Sequence, residues 1–447
     1  MIGPAEQISI GGGKSADLYL LRFDENGRLK SPQTAELAIQ AARSASDVFF
    51  FSHGWNNVYA DALARYRDFT VGFVAQRSAL ALPVAVGYRP VLIGVIWPAT
   101  WFVLDSEEGP DIAGGGASQL GYEQMLAEVV GGMPADQGDE LTELLDGQRV
   151  LSKESATKAA ELVRSALWSA DDPDAATEPP DVAAVLSSWQ AIAAGGQPFV
   201  EEDETIGTVG AGPIVTGPVD EPEQAGWSGL DPRGLLRMGS VWRMKARAGT
   251  VGTYGVAPVL ARLLETNARI HLAGHSFGAR VVLSAVAAQP PSRPAYSMLL
   301  LQPAVNRWCF ADNVAMTGRV GGYRSVLDRV ERPIISTMSS ADKPLHEFFH
   351  LAVRGDSLGE VKPAAVGDTE RYGALGGYGP AGLGPLMREH PLVILTPGTR
   401  YDLNGPVRVL AVDGSARDGN APAISGHGDI CNGYTWWALH NLVDPPP

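Results

Sequence analysis

Continuous apolar runs alternate along this chain with segments whose apolar residues recur at helical spacing. DVFFFS (47–52), PVLIGVIW (90–97), RIHLA (269–273), SMLLL (297–301), PIISTM (333–338) and VRVLAV (407–412) are short and have no consistent polar face, which predicts strands buried on both sides. Between them, residues 58–80, 249–267 and 434–443 have helical spacing. So does the segment FGARVVLSAVAAQ after Ser276, which Pro290 and Pro291 stop. Near the start, QISI and DLYLLRF flank GGGKS, the pattern of a hairpin turn; Ile8 stands where a phosphate-binding loop would need its first glycine. Strands alternating with helices predict an α/β fold with a mostly parallel central sheet and helices on both faces. The functional loops then gather at the carboxyl ends of the strands.

One strand end carries recognisable chemistry. ARIHLAGHSFG (268–278) places Ser276 within G-x-S-x-G, directly between a strand and a helix, where glycines at 274 and 278 let the two elements approach while the serine sits on a sharp turn. A serine hydroxyl needs a base, an acid to orient that base, and donors for an oxyanion. Asp342, in SSADKPL after the strand at 333–338, is the best-placed acid, with Asp413 as runner-up and Asp429 read as a surface or capping group. His427, in SGHGDI after the last strand, is the favoured base. The oxyanion donors are expected from the N–H of Phe277 and from that of Trp55, or Asn56, in HGWNN after the strand at 47–52.

His346 and His350 stand four apart in LHEFFHLAV, with the outline of a zinc-protease motif, but no third ligand follows at a convincing spacing. Neither a metal nor an organic cofactor is called for. Cys309 and Cys431 are too few for a disulfide framework and read as reduced thiols.

The chain has 447 residues, 45% hydrophobic, and a net charge of −15 that is unevenly spread. Residues 105–245 hold 26 acidic against 8 basic residues, whereas the remainder is nearly balanced, with 24 against 27. Residues 118–168 and 183–194 have helical spacing, while 196–232 is rich in glycine, proline and acids and reads as a long mobile loop. Residues 1–104 and 246–447 are therefore expected to form the core, and 105–245 an inserted acidic helical cap. Trp168, Trp189, Trp227 and Trp242 either line a pocket or fasten the cap to the core; the second use is the commoner. An acidic face repels nucleic acid and anionic headgroups, so neither is expected as a partner there. No apolar run is long enough for an integral membrane segment. The N-terminus lacks a basic start and an apolar h-region, so a cytoplasmic location without a Sec signal is expected.

FFFSHGWNN, IGVIWPA, HLAGHSFGAR, STMSSADKPL and SGHGDI together resemble the strand-end motifs of the α/β-hydrolase superfamily, and more narrowly a bacterial group of largely unassigned substrate. The resemblance spans roughly 45–104 and 246–443. It implies an α/β-hydrolase fold with Ser276 as nucleophile, Asp342 as acid, His427 as base, and Trp55 and Phe277 as oxyanion donors. The expected function is a serine hydrolase, esterase or lipase-like, acting on a small-molecule or lipid ester. A phospholipase-type secreted effector and a non-catalytic interaction protein of the same fold are the alternatives; oligomeric state is left open.

Overall fold

The structure, a computed structural model of the chain, describes residues 2–54, 59–99, 123, 126, 127, 129–148, 150–164, 181–195, 230–288, 292–314, 318–349, 373–388, 391–417 and 419–443. Its centre is a nine-stranded sheet. In chain order the strands are β1 (Glu6–Gly11), β2 (Lys14–Arg22), β3 (Asp47–Ser52), β4 (Pro90–Ile96), β5 (Arg269–His275), β6 (Ser297–Leu301), β7 (Ile334–Met338), β8 (Leu392–Val393) and β9 (Val409–Asp413). They lie side by side as β1-β2-β4-β3-β5-β6-β7-β9-β8. Every pairing is parallel except β1 with β2, the expected hairpin.

The helices are α1 (Pro32–Ala42), α2 (Tyr59–Ala79), α3 (Ala135–Leu145), α4 (Lys153–Arg164), α5 (Val182–Gly195), α6 (Pro232–Thr250), α7 (Ala257–Leu264), α8 (Phe277–Ala288), the single turn α9 (Leu375–Tyr378) and α10 (Gly433–Val443). No described helix is long and apolar enough to cross a membrane.

The unbroken apolar strands divide by parity, because successive side chains leave a strand on opposite faces. Val48, Phe50, Ile270, Leu272, Met298 and Leu300 point into one core, with Ala38 and Ile39 of α1, Leu260 and Leu263 of α7, and Val281 and Val282 of α8. Phe49, Phe51, Ala273, Leu299 and Leu301 point into the other, with Tyr66, Phe69 and Phe73 of α2 and Trp437 and Leu442 of α10. β3, β6, β7 and β9 are buried along their whole length. Each buried Val, Leu, Ile, Phe or Met side chain contributes about 1.5–3 kcal/mol by leaving water, which favours a sheet covered on both faces.

Two departures from the expected elements have physical causes. Helix α1 is not among the elements the pattern predicts. Its inner stripe is made largely of alanines (Ala35, Ala38, Ala42) with Ile39, a weak apolar signal, and Pro32 opens it in the first turn, where the missing N–H costs nothing. The helix expected at 249–267 is longer and interrupted: α6 begins at Pro232, and a π-helical turn, Val251–Val256, joins it to α7. Pro258 is the reason. It cannot donate to the carbonyl four residues back, and the chain inserts a wider turn before it, with the N–H of Ala257 bonded to the Gly252 carbonyl.

The expected boundary between 245 and 246 falls inside α6, whose Leu235, Leu236, Trp242 and Met244 share a core with Val251 and Val256. Helices α3, α4 and α5 lie where 118–168 and 183–194 predicted helical spacing. Trp189 and Trp242 are buried in the same core, and Trp189 Nε1 donates to the Asp231 carbonyl at 2.8 Å. Trp168, Trp227 and nearly all of 196–232 lie outside the described residues.

Candidate active site

Ser276 occupies the one-residue corner between β5 and α8. Its φ is +53°, a left-handed value uncommon for a residue with a side chain. Three hydrogen bonds hold the corner: the Ser276 N–H donates to the Leu301 carbonyl (3.1 Å), and its own carbonyl accepts from the N–H groups of Ala279 (3.1 Å) and Ala304 (3.2 Å). The two motif glycines permit the turn. A Cβ on Gly274 would stand 2.6 Å from the Cα of Ala279, and one on Gly278 would run into the carbonyl oxygens of Ser52 and His53 at the end of β3. Because those contacts are backbone, they cannot swing away. Gly278→Ala is therefore expected to lower stability by about 1–3 kcal/mol or more, as overpacking does, measured by urea unfolding; an unchanged midpoint would contradict the packing described.

His427 lies in the loop between β9 and α10. Its Nε2 is 2.8 Å from Ser276 Oγ, and its Nδ1 is 2.8 Å from Asp342 Oδ2. All three residues are buried, Ser276 and Asp342 completely. Asp342 sits in the turn after β7; its N–H bonds to the Ser339 carbonyl (3.2 Å), and its Oδ1 accepts from the N–H of Leu345 (3.0 Å). The Ser339 hydroxyl donates to the Ile424 carbonyl (2.8 Å), which ties the acid's turn to the histidine's loop.

That loop is closed by Asp429, whose Oδ2 accepts from the N–H (2.8 Å) and hydroxyl (2.9 Å) of Ser425. Asn432 then caps α10, its Oδ1 accepting the N–H groups of Tyr434 and Thr435, while its amide donates to Asp429. Asp413, the alternative acid, is instead engaged by the N–H and hydroxyl of Ser415 and by Arg417, and its carboxyl is held below the usual range: those bonds and the charge of Arg417 outweigh burial, the largest single influence, which acts to raise it.

Since a carboxylate only accepts, His427 Nδ1 carries the proton and Nε2 presents its lone pair to the Ser276 hydroxyl. A serine in this position can lose its proton to the imidazole as it attacks an electrophile. Phe277 is the first residue of α8, so its N–H belongs to the helix end that has no carbonyl partner within the helix and carries partial positive charge. Trp55 and Asn56, the second expected donors, lie outside the described residues. The residues leading to them are rigidly held. The His53 N–H donates to Tyr66 Oη (2.8 Å), whose hydroxyl donates to the Val95 carbonyl (2.6 Å). The His53 ring stacks on Trp97 with centroids 5.6 Å apart. His53 Nδ1 donates to the Gly54 carbonyl (2.8 Å), and the Trp97 indole donates to the His53 carbonyl (3.2 Å).

Burial pushes the His53 imidazole down from its ordinary 6.5 to about 4, against the opposing hydrogen bond to Gly54. Burial, then the neighbouring charges of His427 and Arg65, depress His275 in the same direction. Between pH 6.5 and 4 the unfolded chain takes up protons that folded His53 refuses. The associated stability is therefore complete above pH 6.5 and is lost on acidification, by about 3 kcal/mol for His53 alone. Urea unfolding at pH 7, 5.5 and 4.5 should show this slope, and His53→Gln should flatten it; equal slopes in the two proteins would remove His53 as its source.

The other candidates separate from this centre. His346 stacks on Tyr378 with centroids 4.4 Å apart; His350 lies outside the described residues. Neither Cys309 nor Cys431 is joined in a disulfide, and burial raises the Cys431 thiol to about 11. One residue close to the centre escaped the sequence altogether: Gln302, directly after β6, donates to the main chain at Gly426 and His427. No motif or periodicity marks it. No family model, no curated protein and no solved structure matches this chain.

Proposed function

We propose that the chain is a serine hydrolase of the α/β-hydrolase class that cleaves a carboxylic ester through an acyl-enzyme. The observation that carries this reading is the hydrogen-bonded series Ser276, His427, Asp342, with 2.8 Å at each link. Its members follow β5, β9 and β7 at the carboxyl edge of a parallel sheet, and their chain order Ser, Asp, His is the order of that class. The left-handed corner at Ser276 supports the same reading, because strain of this kind collects where a side chain must be presented. Helices α3 to α5 would then belong to the cap.

In the proposed reaction His427 Nε2 takes the proton of Ser276 as Oγ bonds to the ester carbonyl carbon. The N–H of Phe277, with that of Trp55, receives the negative charge that develops on the carbonyl oxygen. The tetrahedral intermediate collapses by breaking the bond to the alcohol oxygen, which leaves with the proton from Nε2. Water then gives a proton to Nε2 and attacks the acyl group, and collapse returns that proton to Ser276 Oγ with release of the acid. Asp342 holds Nδ1–H throughout and stabilises the imidazolium without taking its proton.

The complete burial of Ser276 favours a second reading, a hydrolase-type fold with a closed site that serves as an interaction module. A fluorophosphonate probe separates the two. One adduct per chain, absent from Ser276→Ala by intact mass, is expected for the enzyme. A folded wild-type protein that forms no adduct would leave the closed module as the better account.

A further inference from the structure

We infer that Gln302 and His275 are positioning residues for His427, gripping the main chain of its loop so that the imidazole stays at Ser276. This rests on the reading of Ser276 as nucleophile and His427 as base. His427 belongs to an irregular loop, and its ring alone does not fix where its backbone lies. Gln302 Nε2 donates to the carbonyls of both Gly426 (2.9 Å) and His427 (3.0 Å). The His427 carbonyl is shared with His275, the variable residue of the elbow, whose Nε2 stands 2.9 Å from it; the two imidazoles lie 4.9 Å apart. The next carbonyl, Gly428, accepts from Arg65 of α2 at 3.3 Å. Three consecutive carbonyls are thus held by donors from β5, from α2 and from the turn after β6.

The orientations are determined. A carbonyl only accepts, so the Gln302 amide must turn its NH2 toward the loop and His275 must carry its proton on Nε2. Thr337 secures the amide from behind: its Oγ1 accepts the Gln302 N–H (2.9 Å) and lies 3.2 Å from Gln302 Oε1. Gln302 is fully buried and holds φ at +38°, a second left-handed residue beside the elbow. An unfavourable backbone conformation persists when its surroundings enforce it, and such residues cluster at functional sites. Here the turn aims one side chain at two carbonyls that flank the base.

Gln302→Met keeps the length of the side chain and removes both donors. Because a displacement near 1 Å of a reacting group costs about 100-fold, its labelling by the fluorophosphonate is expected to slow by about 30- to 100-fold. The low-field proton resonance of His427 Nδ1–H is expected to shift or broaden with it, a change that loss of packing elsewhere would not produce. His275→Phe should show the same pair of effects, more weakly. Wild-type labelling rates with an unaltered resonance in both variants would overturn the inference. If wild-type protein does not label at all, the catalytic reading fails, while the resonance in wild type and Gln302→Met still decides whether the grip exists. Should Gln302→Met not fold, Gln302→Leu, which is similar in volume and has no donor in any protonation state, takes its place under the same outcomes.

Discussion

Replacing Ser276 with Ala is expected to reduce ester hydrolysis by about 10⁶-fold, with His427→Ala costing about as much and the double variant little more. The three hydroxyl-to-carboxylate groups form one hydrogen-bonded series, so removing either end of the Ser276–His427 link disables the same proton transfer. The residual rate would come from oxyanion stabilisation and binding. Initial rates on an activated ester measure this, with intact mass to exclude a contaminating hydrolase. Additive losses in the double variant would mean that Ser276 and His427 act independently, and the proposed mechanism would have to be abandoned.

The second large effect belongs to Asp342→Asn, for which about a 10⁴-fold loss is expected. The geometry makes the direction definite. Asp342 Oδ1 accepts from the Leu345 N–H and Oδ2 from His427 Nδ1. In the variant the amide oxygen must stay with Leu345, which turns the NH2 toward His427. Nδ1 then becomes the acceptor, the ring proton moves to Nε2, and the imidazole faces Ser276 with a donor instead of a base. Thermal unfolding should remain near that of wild type because the shape is conserved. A variant with normal fold and rates within tenfold of wild type would mean that Asp342 does not set the tautomer.

Much of the sheet and the candidate triad was legible in the sequence because both are written locally. A strand buried on both faces shows as an unbroken apolar run, and the elbow needs its glycines within two residues of Ser276. Asp342 and His427 could be singled out because chain order restricts which strand ends supply them. Other features depend on contacts distant in sequence. Gln302 meets Gly426 across 124 residues, and nothing near it announces a positioning role. The alanine-rich stripe of α1 is a faint periodic signal, and the two-residue β8 is too short to show any. Pro258 lies inside the helix expected at 249–267, and the spacing there does not announce the π turn that carries the chain past it. The break proposed at 245 followed a shift in charge. Surface composition reports what faces water, while the apolar side of α6 runs through that point without change.

The sheet also ends in a way that bears on how copies of the chain meet. A bare strand edge offers unpaired N–H and C=O groups to any other strand, and long flat edges invite runaway association. One margin here is β8, of only two residues; the other is β1, six residues long, broken in register between Ser9 and Gly11 and carrying Gln7 and Ser9 on the face away from the core. Neither offers a regular template of useful length. Strands buried on both faces, such as β3 and β5, are enclosed in the middle, so the architecture confines the stickiest sequence to positions that a neighbouring molecule meets only if the fold is lost.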